Sequence, residues 1–392
     1  MEYEFDVLVS REHTGSEKYD GLPDGFRSLG AITYGGAELD VKTAPCIREA
    51  LEKRARDGIY GYTKPDDAYF AAVEGWMRSV RSWDIRREWI VPSYGTMQAA
   101  CAAIRAFSGE GDGVIVQPPV YVLYHREIAR TRREIVSNPL ILENGRYRMD
   151  FDHLEQVMSH PKNKLLLLCN PHNPIMDHWE REDLETVARL AEKHGVLVFC
   201  DEIFAEHVCG GTLVPYAEVG GDNCIVATSL GKAFNFTGSS HANVIIPGKL
   251  VREKYMEQRN YDHYGSIDPF IYTATLAAYT PGGKDWIDAL LAYSGENIRL
   301  LSDFFAEYLP RVRPCRHRAG TLVWVDFNGL GLGESALWDF FENEAAFTGD
   351  RGSIYGLGGN GFVRFQMGTP RSILLKALDR FRAAAEKQGW LM

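Results

Sequence analysis

The sequence lacks the usual marks of secretion, membrane insertion and metal binding. Its first ten residues alternate acidic and apolar side chains, so they lack the basic-then-apolar order of a signal peptide. No apolar run approaches the ~18 residues that a membrane span needs. The seven cysteines include no CxxC pair and no Cys/His ligand spacing. We therefore expect a cytoplasmic protein with free thiols, no membrane partner and no metal site.

An excess of positive charge is also missing. The formal net charge is −10, which argues against nucleic acid or an anionic membrane as the main partner. The short basic clusters at 130–133 and 311–318 are mixed with apolar residues. Solvated helix faces and strand edges explain these clusters better than a phosphate-binding track does. We expect no nucleic-acid partner.

Apolar sequence, in contrast, is ample. The 392 residues, of which 45% are hydrophobic, predict two or three structural units with large cores. Residues 1–45 are polar, rich in glycine and weakly periodic. We interpret them as an arm that packs on the rest of the chain and on the site.

Short apolar strands alternate with helical stretches through the middle of the chain. The predicted strands lie at 88–91, 113–117, 133–137, 164–169, 196–201, 223–228 and 242–246. Continuous apolar strands between helices are typical of a mainly parallel sheet that is buried on both faces. The fold class is therefore α/β, with a large domain at 46–280 built on a seven-stranded sheet.

The pattern changes after residue 280. A long helix is predicted at 286–308, followed by alternating strands at 322–326 and 362–367 and a closing helix at 370–387. Helices combined with short antiparallel strands predict a smaller α+β domain at 281–392.

Polar side chains follow three successive strands of the predicted sheet. Asn173 comes after the strand at 164–169, Asp201 ends the next strand, and Lys232 follows the third. Because open α/β sheets bind ligands outside the carboxyl ends of their strands, we expect these side chains to meet at one edge. Each residue also has an ordinary explanation. It is a turn for Asn173, a helix cap or salt bridge for Asp201 and a solvated loop for Lys232. The ordered set favours a site.

Asp201 has a specific requirement. An ionised carboxylate that follows five apolar residues is costly without a cationic partner. A protonated pyridine nitrogen is such a partner, and a rigidly held amide such as Asn173 suits a phenolate oxygen.

The turn at 93–100 is a candidate anion site. It follows a strand and opens a helix, so it offers Gly95, backbone N–H groups and the Thr96 hydroxyl to a phosphate. Ser229 adds a hydroxyl. The turn has neither the GxxxxGK nor the GxGxxG pattern, and a helix cap explains Thr96 equally well.

Four motifs in this order carry a family resemblance. They are Asn-Pro-His-Asn-Pro at 170–174, Asp-Glu-Ile at 201–203, Ser-x-x-Lys-x-Phe-Asn at 229–235 and Phe-Val-Arg-Phe-x-x-Gly-x-Pro-Arg at 362–371. The chain resembles the pyridoxal-phosphate (PLP)-dependent aminotransferase class I/II superfamily of fold type I. Segments 11–20, 37–51 and 61–62 are similar to its MalY/PatB-type cystathionine β-lyase (cysteine-sulfur lyase) branch, so the resemblance covers nearly the whole chain.

The resemblance implies roles at the cofactor. Lys232 holds PLP and acts as the base at the substrate α-carbon, and a desolvated setting lowers a lysine pKa enough for that task. Asp201 pairs with the ring nitrogen, which keeps the ring an electron sink. Tyr121 stacks on the ring, although an ordinary core aromatic would look the same in sequence. Asn173 bonds the phenolate oxygen.

The resemblance also implies phosphate, substrate and subunit contacts. Gly95, Thr96 and Ser229 hold the phosphate. Arg364 grips the substrate carboxylate through its two-pronged geometry, and Asn173 and Ala37 also bind the substrate. A surface ion pair is the ordinary explanation of Arg364. Tyr62 reaches the phosphate of a neighbouring subunit, which implies a homodimer with shared active sites.

The chain also departs from the family pattern. Phe204 stands where relatives often have Tyr or His, and Ser240 stands where many aminotransferases carry a cationic phosphate ligand. Residues 34–40 differ from the Trp and Asp of the lyase branch, and Ile-Met at 175–176 replaces the usual Thr-Gly. The last two changes fall in loops expected near the substrate.

These features predict a PLP-dependent carbon–sulfur β-lyase that acts by α,β-elimination on a sulfur amino acid. The products would be pyruvate, ammonia and a thiol. An aminotransferase of class I/II is the alternative, because it uses the same Lys, Asp and Arg. A third reading is a regulatory or interaction protein on the same fold.

Overall fold

The computed structural model describes residues 3–391. Its larger part is built on a sheet whose strands we number along the chain. These are β1 Ile90–Ser93, β2 Gly113–Val116, β3 Glu134–Ser137, β4 Asn163–Cys169, β5 Leu197–Asp201, β6 Cys224–Thr228 and β7 Ala242–Ile245. The spatial order is β1-β7-β6-β5-β4-β2-β3, and β7 runs antiparallel to both of its neighbours while the other pairs are parallel. The predicted mainly parallel, seven-stranded α/β sheet is confirmed.

The apolar run of β4 shows why this sheet lies in the middle of the molecule. Leu166 and Leu168 belong to the hydrophobic core on one face, and Leu165 and Leu167 belong to the core on the other. Because side chains alternate along a strand, a run of leucines fills both cores at once. Polar groups can then leave the sheet only at the strand ends, which is where the candidate site lies.

Helices cover both faces of this sheet and continue into the C-terminal part. The α-helices in residues 3–391 are α1 Glu17–Asp20, α2 Asp24–Ser28, α3 Pro45–Arg56, α4 Asp67–Arg81, α5 Thr96–Phe107, α6 Val122–Arg130, α7 Phe151–Met158, α8 Arg181–His194, α9 Ala217–Gly220, α10 Leu230–Ala233, α11 Lys249–Tyr261, α12 Pro269–Ala278, α13 Pro281–Tyr308, α14 Glu334–Asp339 and α15 Arg371–Lys387. Single 3₁₀ or π turns lie at Arg87–Trp89, Ala205–His207, Asn328–Leu330, Phe340–Glu344 and Gly352–Tyr355.

The long helix α13 begins earlier than the sequence pattern suggests. The expected start was residue 286, but the helix starts at Pro281. Thr280 caps it, because its side chain accepts a hydrogen bond from the Gly283 N–H at 3.3 Å. Proline is well suited to the first helical position, where its missing N–H costs nothing. The Thr-Pro-Gly-Gly stretch at 280–283 therefore starts the helix, five residues before the position that the sequence pattern predicts.

A second sheet lies in the C-terminal part. Its strands are β8 Arg313–Pro314, β9 Leu322–Asp326, β10 Asp350–Arg351 and β11 Phe362–Gln366, in the antiparallel order β8-β9-β11-β10. Short pairs outside the two sheets join Ile32–Thr33 to Phe347–Thr348 in parallel and Ile141–Glu143 to Arg146–Arg148 in an antiparallel hairpin.

The pairing of Ile32–Thr33 with Phe347–Thr348 attaches the N-terminal arm to the C-terminal part. The domain boundaries at residues 45 and 280 stay a prediction. Across residues 3–391, no helix is both long and apolar enough to cross a membrane.

Candidate active site

A cavity of about 490 Å³ opens at the carboxyl ends of β4 and β5 and beside α10. It gathers side chains that are far apart in sequence. The sequence-predicted residues on its wall are Ala37, Thr96, Tyr121, Asn173, Asp201, Lys232 and Arg364. The three strand-end residues therefore do meet at one place.

Lys232 lies on the short helix α10, directly after β6. Its Nζ donates a hydrogen bond to the Ala37 carbonyl at 2.9 Å. Burial lowers the Lys232 pKa to about 8, and the nearby Arg364 charge acts in the same direction. A substantial fraction of this amine is therefore neutral near pH 8, which makes it both a nucleophile and a base.

Asp201 ends β5 and is 3% exposed. It accepts hydrogen bonds from the Ile203 N–H at 3.1 Å and from the Tyr124 hydroxyl at 3.3 Å. Burial raises the Asp201 pKa to about 6. Among residues 3–391 no Lys, Arg or His forms a salt bridge with this carboxylate. The site therefore holds a buried acid that lacks a cationic partner from its own chain.

Arg364 on β11 is held from two sides. Its Nη1 donates to Asn173 Oδ1 at 2.6 Å, while Nε donates to Asp350 Oδ2 at 3.1 Å and Nη2 donates to the same oxygen. A guanidinium has five N–H donors, so one donor on Nη1 and one on Nη2 remain. Two donors on adjacent nitrogens suit a two-pronged grip on a carboxylate.

Asp350 is the site residue that sequence reasoning missed. It lies opposite Arg364 in the β10–β11 register and also accepts from the Gly36 N–H, at 3.0 and 3.1 Å, and from the Tyr355 hydroxyl at 3.2 Å. Asp350 therefore connects the loop at 34–40 to Arg364. No local motif marks it, because its role depends on the pairing of two strands.

The N-terminus of α5 forms the candidate phosphate end. Gly95 has φ +98°, a conformation that favours glycine. A Cβ added to Gly95 would meet the His241 nitrogen and the Ser240 Cβ at 4.0 Å each, so residues 240–241 are its neighbours. Ser240 is exposed and brings no positive charge.

Ser229 contacts His241, a neighbour of Gly95, and its hydroxyl is already engaged. The hydroxyl donates to the His241 carbonyl at 2.6 Å and accepts from the Gly231 N–H at 3.0 Å. It therefore has no hydrogen left to donate to a phosphate in this arrangement.

Two of the departures noted in the sequence meet beside the cavity. Met176 and Phe204 form an apolar cluster with Leu322, against which Ala37 and Ile203 pack. Met176 has φ +52°, the left-handed conformation in which glycine is the least strained residue. Phe204 has no hydroxyl with which to hydrogen-bond a ligand. This side of the cavity is consequently apolar.

Tyr121 and Tyr62 differ in position. Tyr121 precedes α6 and lies on the cavity wall. Burial, together with the Asp201 charge, raises the Tyr121 pKa to about 12, so the hydroxyl stays protonated at neutral pH. Tyr62 is fully exposed and is not on the wall of this cavity.

The residues present fit PLP. The unpaired, buried Asp201 is suited to a protonated ring nitrogen, Lys232 supplies an amine, and Asn173 keeps its NH₂ group free because its oxygen accepts from Arg364. Residues 3–391 contain no group of three or more His, Cys, Asp or Glu that could hold a metal ion.

Comparisons with known proteins agree with this geometry. The chain is 35% identical to cystathionine beta-lyase PatB of Bacillus subtilis over 384 residues, which cover 97% of this chain and 99% of that protein. It is 29% identical to cystalysin of Treponema denticola, whose crystal structure contains PLP, with a TM-score of 0.92 and coverage of 99% and 100%. The PLP-bound C-S lyase of Staphylococcus hominis is 26% identical, with a TM-score of 0.90 and 98% coverage of each chain.

The family model for aminotransferase class I and II matches residues 28–381. These neighbours are fold type I enzymes, in agreement with the seven-stranded sheet. The chain therefore belongs to the aminotransferase class I and II family.

Proposed function

We propose that this chain is a PLP-dependent carbon–sulfur β-lyase, which converts a sulfur amino acid and water to pyruvate, ammonia and a thiol. The observation that carries the proposal is the meeting of Lys232, Asp201 and Arg364 on one cavity wall. Its support in the comparisons is the similarity, over nearly the whole chain, to proteins named cystathionine beta-lyase and C-S lyase.

Bound PLP supplies an electron sink for negative charge at the substrate α-carbon. The Asp201 carboxylate lacks a cationic partner from its own chain. Beside the ring nitrogen it would keep that nitrogen protonated, because the two opposite charges stabilise each other. Lys232 would hold the cofactor through its amine, and the same amine would take the α-proton of a bound substrate. Its lowered pKa makes the neutral amine available for that proton near pH 8.

The substrate is oriented by its carboxylate. The two remaining donors of Arg364 bind that carboxylate, and the Asn173 amide and the Ala37 backbone lie beside it on the wall. With the carboxylate fixed, the α-proton is presented to Lys232. Loss of this proton is followed by breakage of the Cβ–S bond, and the sulfur leaves with the electron pair.

The remaining cofactor contacts follow the same plan. Tyr121 stacks on the ring and Asn173 donates to its phenolate oxygen. Gly95 and Thr96, at the start of α5, hold the phosphate with backbone N–H groups and a hydroxyl. Ser229 joins them only if its hydroxyl turns away from the His241 carbonyl.

The active form is a homodimer with shared sites. The full exposure of Tyr62 and the 77% exposure of Ile59 support an additional protein surface over this segment. Tyr62 reaches the phosphate held by the neighbouring subunit. Removing its hydroxyl in Tyr62→Phe should weaken PLP binding without changing the dimer mass measured by light scattering.

The cytoplasm is the proposed location. All seven cysteines are free thiols, and such thiols persist in a reducing compartment.

An aminotransferase needs a second substrate, a 2-oxo acid, whereas the lyase does not. Purified enzyme with PLP and L-cystathionine, but without any 2-oxo acid, should release pyruvate and a free thiol over many turnovers. Absence of pyruvate and thiol, together with formation of the 2-oxo acid of cystathionine over many turnovers only when 2-oxoglutarate is added, would establish the aminotransferase and reject the lyase.

A further inference from the structure

The Tyr124 hydroxyl reaches the Asp201 carboxylate from helix α6. It donates a hydrogen bond to Oδ2 at 3.3 Å, while the Ile203 N–H donates to Oδ1 at 3.1 Å. Tyr124 is 0% exposed and is not on the cavity wall, so a ligand in the cavity does not touch it. Any part that Tyr124 plays in the reaction is therefore exerted through the residues that it contacts.

Tyr124 is held in place by its helix and by the core. It lies in the first turn of α6, where its N–H donates to the Tyr121 carbonyl at 3.0 Å. The Tyr121 and Tyr124 rings lie edge to face, with centroids 5.8 Å apart and planes at 79°. The Tyr124 ring belongs to the same core as Leu165 and Leu167 of β4. Packing therefore directs the hydroxyl at Asp201.

This hydroxyl remains a donor at all ordinary pH values. Burial, together with the Asp201 charge, raises the Tyr124 pKa well above its usual value, so the hydroxyl keeps its proton. A donated hydrogen bond stabilises the ionised form of a carboxylate. Burial raises the Asp201 pKa to about 6, and the hydrogen bond from Tyr124 opposes this rise.

Other groups also act on this carboxylate. The titratable ones are Glu202 directly after β5, Cys169 on β4, Tyr121 before α6 and Lys232 on α10. The Thr96 hydroxyl on α5 lowers the Asp201 pKa in the same direction as Tyr124, but Thr96 belongs to the candidate phosphate end. Tyr124 is consequently the donor whose hydroxyl can be removed without removing another predicted cofactor contact.

The ionisation of Asp201 matters because a pyridine nitrogen is itself a base. When a carboxylate and such a nitrogen share one proton, either of them can hold it. The ring is the better electron sink with the proton on nitrogen, which requires Asp201 to be the weaker base. Burial makes Asp201 a stronger base than an ordinary aspartate, so a group that opposes this effect favours the protonated ring.

We propose that Tyr124 is a positioning residue for the cofactor, whose hydroxyl keeps Asp201 ionised so that the shared proton stays on the ring nitrogen. The assignment rests on the proposed binding of PLP against Asp201. The 3.3 Å contact is longer than the roughly 2.7–2.8 Å that hydroxyl–oxygen bonds favour, so its effect is modest. Loss of the hydroxyl should raise the proton affinity of Asp201 about fivefold.

Two calorimetric series on the apoprotein test the contact. Asp201→Asn removes the ionisable group, so the rise in melting temperature that it causes reports the destabilisation by the ionised carboxylate. With Tyr124 present, this rise should level off above about pH 6. In Tyr124→Phe it should level off about 0.7 pH units higher, which corresponds to the fivefold change in proton affinity. The same levelling-off pH in both series would give the hydroxyl a packing role only and overturn the proposal.

Tyr255→Phe is the matched control. Tyr255 lies in the same core as Tyr124 and is also 0% exposed. Among residues 3–391 its hydroxyl makes no hydrogen bond with Asp201. Its replacement should therefore leave the levelling-off pH unchanged, and an equal shift in this variant would also overturn the proposal.

A second measurement follows the cofactor. Holoenzyme is loaded with PLP that carries ¹⁵N in the ring, and its resonance at pH 7.5 is placed between those of protonated and unprotonated free PLP. Tyr124→Phe should lower the ratio of protonated to unprotonated nitrogen about fivefold, and Asp201→Asn should lower it further. An unchanged resonance in Tyr124→Phe would overturn the proposal.

These outcomes are separate from those that test the proposed function. If Asp201→Asn leaves the resonance unchanged, Asp201 does not serve the ring nitrogen, and the assignment of Tyr124 fails with it. Neither measurement counts product, so an enzyme that binds PLP but releases no pyruvate would reject the lyase and leave the assignment of Tyr124 standing.

Discussion

Arg364 and Asp350 form an ion pair across neighbouring strands through Nε and Nη2 of the guanidinium, and one donor on Nη1 and one on Nη2 remain. The same carboxylate accepts the Gly36 N–H, and the next residue, Ala37, accepts from Lys232. Asp350 therefore orients Arg364, which we propose binds the substrate carboxylate, and, through Gly36, the loop that faces Lys232.

Replacing Asp350 should chiefly affect substrate binding. Asp350→Ala leaves Arg364 without its orienting partner and Gly36 without its acceptor, so we expect KM to rise about tenfold, or about 1.4 kcal/mol, with kcat changed less than about threefold. Steady-state kinetics on the holoenzyme measure both. Glu342→Gln, which breaks the neighbouring surface pair with Arg351, should change neither. A lower KM in Asp350→Ala would show that Asp350 competes with the substrate carboxylate.

Asp201 should destabilise the protein when PLP is absent. Its pKa is raised from 3.8 to about 6 by burial, so the ionised form costs stability. The cost grows as pH rises from about 4 to about 6 and is fully present above that, on the order of 3 kcal/mol. Apoprotein carrying Asp201→Asn should melt above wild type at pH 7.5 and close to it at pH 4, as measured by calorimetry.

The same variant should bind PLP poorly, because an amide cannot supply the negative charge. We expect its PLP dissociation constant to rise about 100-fold, or roughly 2.7 kcal/mol. A lower melting temperature than wild type at pH 7.5, combined with unchanged PLP affinity, would assign Asp201 a purely structural role.

The lowered Lys232 pKa should be visible in cofactor uptake. Only the neutral amine attacks an aldehyde, so the rate at which apoprotein attaches PLP should rise with pH and level off above about 8. Stopped-flow absorbance across pH 6–10 measures this rate. A rate that still climbs tenfold per pH unit above 9 would indicate an ordinary, solvated lysine.

Ser240 offers a gain-of-function test of the phosphate end. It is exposed and close to Gly95, so Ser240→Arg should place a cation near the phosphate. The PLP dissociation constant should fall about fivefold, as measured by equilibrium dialysis. Ser239→Arg, one residue away, is the control for added charge. An equal fall of the PLP dissociation constant in both variants would show that position 240 has no special role.

The large sheet was predictable because its strands are apolar on both faces. All seven appear within a few residues of their expected positions, since the run at 164–169 can only be a strand buried on two sides. The strand-end placement of Asn173, Asp201 and Lys232 followed from the same pattern. The start of α13 was misjudged because proline and glycine are used in turns and in first helical turns alike.

Contacts made between distant segments could not be predicted. Asp350 meets Arg364 only through a strand pair, and Glu17 reaches the cavity only because the arm folds back on residues 38–40. Met176 and Phe204 were each recognised in the sequence as departures from the family pattern. That they pack together in one apolar cluster could be seen only in the structure. Such relations depend on tertiary structure and leave no periodic signal in the chain.

The central claim is tested most directly by one incubation. Holoenzyme is given L-cystathionine without any 2-oxo acid, and pyruvate and free thiol are measured together, with Lys232→Ala loaded with PLP as the control. We predict equal amounts of the two products over many turnovers and a loss of at least about 1,000-fold in the variant. Absence of pyruvate with wild-type enzyme, or wild-type turnover by Lys232→Ala, would contradict the account.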